Sequence, residues 1–333
     1  MSYPQEEVGA LVKPCVVHVV GKDVPAQPDD GGMPRSVQWL AEAQARSGFD
    51  VHVVSPGGVS NEFFTHWAAS PFSVDNVRKC IGLVPPHAVL HLHATDKGID
   101  VPVGLVLQNS KHAFIATLRC NHGPGDFPLY NRVYLSASHA QNHDESVFVY
   151  NGLPIENYPL GPGGGGYALF LGKVRRRKKG AGLAISVARL GTRVVVAGGR
   201  HFKYPETWLP INRNLDIVGV VDGHAKIELL RYADVLLFPV MWDEPFGLVL
   251  IEAMAVGTPV VGTRRGSIPE IVEDGVTGIT TSASPEALQS AVASASQCDR
   301  GLCRQRVVER FSIDRVVTDY SALYNAAMRG EVW

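Results

Sequence analysis

Glu244 and Glu252 stand eight residues apart in EPFGLVLIE, and almost everything between them is apolar. A carboxylate is costly to bury unless it is paired or hydrogen-bonded. Each therefore needs a partner: a structural cation, or a ligand rich in hydroxyl groups. Pro245 follows the first of them, and proline suits the first turn of a helix, where its missing N–H is not needed. A helix opening at Pro245 would leave the N–H groups of Phe246, Gly247 and Leu248 at its positive end. That is a ready anion site, and Gly247 would let a ligand come close to the backbone. Eight helical residues span about 12 Å with about 80° of residual rotation. The two carboxylates are thereby expected near one side, spaced to hold both ends of a ligand the length of a nucleotide sugar.

Other candidates follow strand-like segments. KVRRRKKG (173–180) carries six cations in seven residues and leads into a helix N-terminus, where charge and backbone together would hold a diphosphate. Asp29-Asp30-Gly31-Gly32 lies between the first strand and the first helix, and His122 in CNHG follows another strand. Asn151-Gly152 closes the last strand of the first half, and Gly219 ends LDIVG. Doubly wound sheets bind ligands beyond the carboxyl ends of their strands, where all of these fall. The sequence holds no Asp-x-Asp pair and no other cluster with metal-ligand spacing, so neither a metal nor a cofactor is expected.

These groups need a scaffold of alternating strands and helices, and the chain supplies that pattern twice. CVVHVV (15–20), FDVHVVS (49–55), AVLHLH (88–93), FIATLRC (114–120), RVYLSAS (132–138) and SVFVY (146–150) read as strands of the first half. Those of the second are YALFLG (167–172), TRVVVAGG (192–199), LDIVG (215–219), DVLLFP (234–239), TPVVG (258–262) and TGITT (277–281). PRSVQWLAEAQARSG (34–48) reads as a helix with Pro34 in its first turn and Gly48 at its end. The expectation is an α/β protein with a Rossmann-like domain over 1–158 and a second over 167–311. GPGGGG (161–166), within 159–166, would be the flexible hinge between them, and 312–333 a final amphipathic helix and tail.

The 333 residues suit two cores better than one. With 45% hydrophobic and 19% charged residues the composition is that of a globular protein. A formal net charge of −1 provides no global pull toward nucleic acid or a membrane surface. No apolar run reaches the 18 or so residues that span a bilayer, and MSYPQEEVGALVK lacks a basic leader region and reads as a loose tail. Five cysteines without a CxxC pair suggest reduced thiols, so a cytoplasmic protein is expected.

EPFGLVLIEAMAVGTPVV followed by GSIPEIVEDGVTGI closely resembles the Glu-x7-Glu block of retaining glycosyltransferases of family four, which have the GT-B fold. The resemblance is dense from Ile217 to Thr281 and thinner elsewhere. It implies two Rossmann-like domains facing each other across a cleft, with the last helix crossing back to the first domain. It implies a nucleotide-sugar donor and retention of configuration, without a metal. Glu244, helped by the N–H groups from Phe246 to Leu248, would bind donor-sugar hydroxyls, and Glu252 the ribose. His122 would contact the donor sugar, Gly31 and Gly32 the phosphates, and the backbone at Gly219 the base. Lys173 occupies the family's arginine position, and either Lys178 or Lys179 its lysine position, because this chain has one extra residue between them. The acceptor, whether glycan, lipid-linked or small molecule, would face residues 56–72 and 123–131. The alternatives are a nucleotide-sugar epimerase on the same scaffold and an inactive glycan-binding or assembly protein.

Overall fold

The computed structural model describes residues 14–26, 31–123, 125–209 and 211–333; the expected N-terminal tail and Asp29-Asp30 lie outside these. The first domain runs β1 (Cys15–Val20), α1 (Gly32–Arg46), β2 (Asp50–Ser55), β3 (Thr65–Ala68), α2 (Val74–Ile81), β4 (Val89–Ala94), α3 (Lys97–Gln108), β5 (Ala113–Leu118), β6 (Arg132–Val133) and α4 (Ala137–Gln141). The second runs β7 (Ala168–Leu171), α5 (Ala181–Arg189), β8 (Val194–Ala197), β9 (Leu215–Gly219), α6 (Gly223–Tyr232), β10 (Val235–Phe238), α7 (Leu248–Ala255), β11 (Val260–Thr263), α8 (Ile268–Ile271), β12 (Gly278–Thr281), α9 (Pro285–Ala295) and α10 (Arg300–Arg310). A last helix, α11 (Ile313–Met328), completes the chain.

Both sheets are parallel, in the orders β3-β2-β1-β4-β5-β6 and β12-β11-β10-β7-β8-β9. In each, the first and fourth strands of the domain lie side by side at the centre. The central strands are buried on both faces because helices cover both. Val17 and Val19 of β1 pack with α2 and α3, whereas Val16 and Val20 pack with α1 and α11. The last helix thus crosses back to the first domain as expected, laying Val316, Val317, Tyr320 and Tyr324 on its core.

Several local expectations change. RVYLSAS keeps only two residues of strand. Ser136 then accepts from the His139 N–H and starts α4, and SVFVY is reduced to one bridge between Tyr134 and Phe148. The short, half-exposed β3 was not foreseen, since four residues carry too little alternation to read.

The glycine run is not a free connector. The N–H groups of Gly161, Gly163 and Gly165 donate to the carbonyls of Val256, Arg231 and Tyr232, at 2.9, 3.0 and 2.9 Å. A Cβ on Gly161 would lie 2.4 Å from the Arg231 carbonyl oxygen. Glycine is there because the segment is pressed against the second domain. The domains also touch directly. Glu270 accepts from the N–H groups of Ala137 and Ser138 at the start of α4 and from the Tyr150 hydroxyl, at 3.0, 2.6 and 3.0 Å. Ser136 Oγ donates to the Pro245 carbonyl and Asn121 Nδ2 to that of Asp243.

Candidate active site

Gly31 and Gly32 at the start of α1 meet the loops that follow β7 and β10 between the domains, beyond the carboxyl ends of the central strands, the position where doubly wound folds bind ligands. Two adjoining cavities of about 220 and 240 Å³ lie there, sharing Gly32 and Leu248. A Cβ on Gly32 would come within 2.5 Å of Leu248 Cδ1, so glycine is what allows the first domain to approach α7 this closely.

The expected helix start moves. Proline at 245 does not open α7; the helix begins at Leu248, after Gly247 at φ +85°. The Pro245 carbonyl accepts from Ser136, and the Phe246 ring is buried against Tyr150 and Phe311. The chain therefore needs a left-handed residue to turn into the helix. Glu244 consequently sits in the preceding loop. The two carboxylates are not ranged along one helix; they face adjoining cavities on either side of Leu248. The N–H groups of Leu248 and Val249, in the first helical turn, have no intrahelical acceptors.

The first cavity holds Glu244, Lys179, Trp242, Arg119, Ser36 and Asn151 around the start of α7. Glu244 is 8% exposed. Its Oε2 accepts from Lys179 Nζ at 2.6 Å and from Trp242 Nε1 at 3.0 Å. Oε1 has no partner among the described residues. Lys178 instead lies over the Trp242 ring, 3.4 Å from its centroid, so it is Lys179 that lines the cavity. Burial, then the neighbouring Lys179, pulls the Lys178 pKa down.

The second cavity holds Glu252, Lys226, Lys173, Arg35, Trp39 and Gly31, with Val220 and Val221 beside them. Glu252 Oε1 accepts from Lys226 Nζ at 2.6 Å and from the Tyr158 hydroxyl at 2.9 Å. Burial, and then the Glu252 charge, pushes the Tyr158 pKa up, so the hydroxyl stays a donor. Here Oε2 is the oxygen without a partner among the described residues. Glu252 and Lys226, 5% and 7% exposed, form a buried ion pair at one end of this space.

The structure thus brings Gly31, Gly32, Lys173, Lys179, Glu244, Phe246, Gly247, Leu248 and Glu252 together. Gly219 stands just behind; its carbonyl accepts from the Gly198 N–H at 2.6 Å, and the neighbouring Val220 and Val221 line the cavity instead. His122 lines neither cavity. Its ring stacks on His143, with centroids 3.9 Å apart, and meets Phe127 edge-on. Lys226, Tyr158 and Arg119 were not foreseen. Only the strand-end position of Arg119, one residue after β5, could have singled it out.

Among the described residues, two clusters have metal-ligand proximity. His18, His91 and His93 lie within 4.8 Å of one another on β1 and β4, fully buried. All six ring nitrogens are hydrogen-bonded to protein groups, which leaves no lone pair for an ion. Cys15, Asp50 and His52 meet at the amino ends of β1 and β2, away from the cleft. The Cys15 thiol there is pushed up to about 12, chiefly by burial and then by Asp50, and stays protonated.

Two Rossmann-like domains facing each other across a ligand cleft, with the final helix crossing back, define the GT-B fold of glycosyltransferases. Residues 160–309, the second domain with its flanks, match the family of glycosyl transferases group 1. Over 113 residues the chain is 36% identical to N-acetyl-alpha-D-glucosaminyl L-malate synthase of Bacillus anthracis, covering 31% of this chain and 29% of that protein. Over 210 residues it is 30% identical to glycogen synthase of Mycobacterium tuberculosis, covering 56% and 50%. The chain thus spans half or less of the length of these curated relatives. Among solved structures, AviGT4, a glycosyltransferase involved in avilamycin A biosynthesis, superposes with a TM-score of 0.78 at 21% identity, covering 96% of this chain and all of that one. Anabaena HepE, solved with UDP and glucose, gives 0.71 at 15% identity, covering 93% and 99%. Among the described residues, no helix is long and apolar enough to cross a membrane.

Proposed function

We propose that this chain is a cytoplasmic glycosyltransferase that moves a sugar from a nucleotide-sugar donor to an acceptor hydroxyl, with retention of anomeric configuration and without a metal ion. One observation carries the reading. Each cleft carboxylate gives one oxygen to a lysine and keeps the other, in adjoining cavities that meet at Leu248.

In this reading the nucleoside fills the cavity of Lys173 and Glu252, and Glu252 Oε2 accepts from the ribose diol. The hexose fills the cavity of Glu244, whose Oε1 accepts from its hydroxyls. The diphosphate crosses the start of α7, met by the Leu248 and Val249 N–H groups and by Lys173 and Lys179. The acceptor hydroxyl attacks the anomeric carbon from the face that the nucleoside diphosphate leaves. The bond from that carbon to the phosphate oxygen breaks as the glycosidic bond forms, and the departing diphosphate takes the hydroxyl proton. Charges already aimed at the diphosphate oxygens stabilise the developing anion. The match to the group 1 family over 160–309 supports transfer rather than epimerisation.

The test is incubation with a panel of nucleotide sugars, with and without glycan, lipid-linked and small-molecule acceptors. Acceptor-dependent release of nucleoside diphosphate, unaffected by EDTA, is expected, with a product whose anomeric coupling matches the donor's. An epimerised donor would establish the isomerase instead, and binding without turnover a recognition role.

A further inference from the structure

Arg119 differs from the two carboxylate-paired lysines of the cleft. Lys179 and Lys226 are each paired with a carboxylate. Arg119 also lines the Glu244 cavity, yet the partners of its guanidinium are all neutral: Ser36 Oγ at 2.8 Å, Asn151 Oδ1 at 3.2 Å, and His93 Nδ1 at 3.2 and 3.0 Å from Nε and Nη2. No carboxylate lies within ion-pairing distance of it among the described residues. One N–H of Nη2 remains after these bonds, since a guanidinium has five.

The groups behind it have a determined direction as far as Tyr324. Arginine only donates, so His93 accepts at Nδ1 and carries its proton on Nε2, which donates to His18 Nδ1 at 2.9 Å. His18 then donates from Nε2 to Gln44 Oε1 at 2.7 Å. Gln44 Nε2 donates to the Tyr324 hydroxyl at 3.0 Å, which lies 2.8 Å from His91 Nδ1. His91 Nε2 lies 2.7 Å from Thr117 Oγ1, which shares a 2.9 Å hydrogen bond with the Tyr320 hydroxyl. Reversing the Gln44 amide would set two ring protons against each other between His18 and His93, so only this orientation is consistent with neutral rings. Burial lowers the pKa of all three histidines and keeps them neutral. The series joins β1, β4, β5 and α1 to the crossover helix α11, and it ends on a cation that faces the cleft.

The geometry points to Arg119 as a binding residue for the phosphate next to the transferred sugar, with His93, His18, Gln44 and Tyr324 as positioning residues that hold its guanidinium plane. This rests on reading the cleft as a nucleoside diphosphate site. A cation without a counter-charge, aimed by neutral acceptors, is completed by an anionic oxygen, and the remaining Nη2 N–H is the donor that meets it.

The test is calorimetry on the full chain with inorganic pyrophosphate and with UDP, GDP and ADP. Arg119→Gln is expected to weaken pyrophosphate and the preferred nucleoside diphosphate by about tenfold or more, and Arg119→Lys to recover part of the loss. If the amide destabilises the fold, Arg119→Met serves the same comparison. His93→Phe, which removes the acceptor behind the guanidinium, should reproduce part of the loss, and adding it to Arg119→Gln should cost little more. A merely structural His93 would add its full effect. Parental affinity in a folded Arg119→Gln or Arg119→Met protein overturns the proposal while leaving the nucleotide reading intact. A parent that binds neither pyrophosphate nor any of the nucleoside diphosphates overturns both.

Discussion

Lys226 changes what a substitution at Glu252 measures. Replacing the carboxylate by alanine would leave a 7%-exposed ammonium without its counter-charge, which costs about 3–5 kcal/mol of stability at buried pairs. Such a variant could lose its ligand by losing its fold. Glu252→Gln also removes the charge but keeps the shape and an oxygen that can accept from Lys226 or Tyr158, so it is the milder change. It should weaken nucleoside diphosphate and intact donor alike by about 1.5–3 kcal/mol, because the ribose is common to both. Unchanged affinity in calorimetry would remove Glu252 from the site. Glu244→Gln should separate the two quantities, depressing turnover strongly while nucleoside diphosphate affinity stays near the parental value. Equal damage to both would mean that Glu244 acts only by holding Lys179 and Trp242.

The glycine run makes the prediction that belongs to an element. A flexible hinge would tolerate a methyl group at Gly161. The packed segment would not, since the new Cβ would lie 2.4 Å from one backbone oxygen and 2.5 Å from the Arg231 Cα. Gly161→Ala should lower the unfolding free energy by about 1–3 kcal/mol, as overpacking does, read from the midpoint of urea denaturation. Proline at 163 should be worse still, because Gly163 has φ +68° and donates its N–H to Arg231. An unmoved midpoint for Gly161→Ala would show that the run detaches readily and can serve as the hinge after all.

At the scale of the molecule, Glu270 joins the domains by capping α4 of the first from α8 of the second. Glu270→Ala should let the cleft open, raising the radius of gyration of the unliganded protein in small-angle scattering. An unaltered profile would mean that the contacts through Ser136, Asn121 and α11 suffice. The buried histidines make a second prediction. His18 is held down to about 4 by burial, and His91 and His93 lie well below their ordinary range for the same reason, with Arg119 adding to it. Between pH about 6.5 and about 4 the unfolded chain binds protons that the folded one refuses. Stability is therefore full above pH about 6.5 and declines as the pH falls through this window, by up to about 1.4 kcal/mol per pH unit for each histidine. Unfolding free energies measured at pH 7.5, 6 and 5 check it; a level profile would mean that the rings take up protons in the fold as readily as in the unfolded chain.

The alternation of β-rich and helical runs, the two α/β halves and an amphipathic last helix were legible in the amino-acid order, because strand and helix periods are local and set which faces must be covered; that this helix crosses back was implied only by the resemblance. The two carboxylates, the ends of the basic loop, and Gly31 and Gly32 were legible for a related reason: their residue types and strand-end positions suit an anionic, hydroxyl-bearing ligand wherever such sheets place one. What the order of residues does not carry is which distant group answers each of them. Lys226 and Tyr158 reach Glu252 from 26 and 94 residues away. His18, His91 and His93 read as isolated polar residues in apolar strands until β1 and β4 are paired in register and α11 is laid over them. His122 was placed by its resemblance to a motif, and the fold turns it instead onto His143 and Phe127. Periodicity settles that a face is buried, but only the packing of one domain against the other decides which charges meet across it.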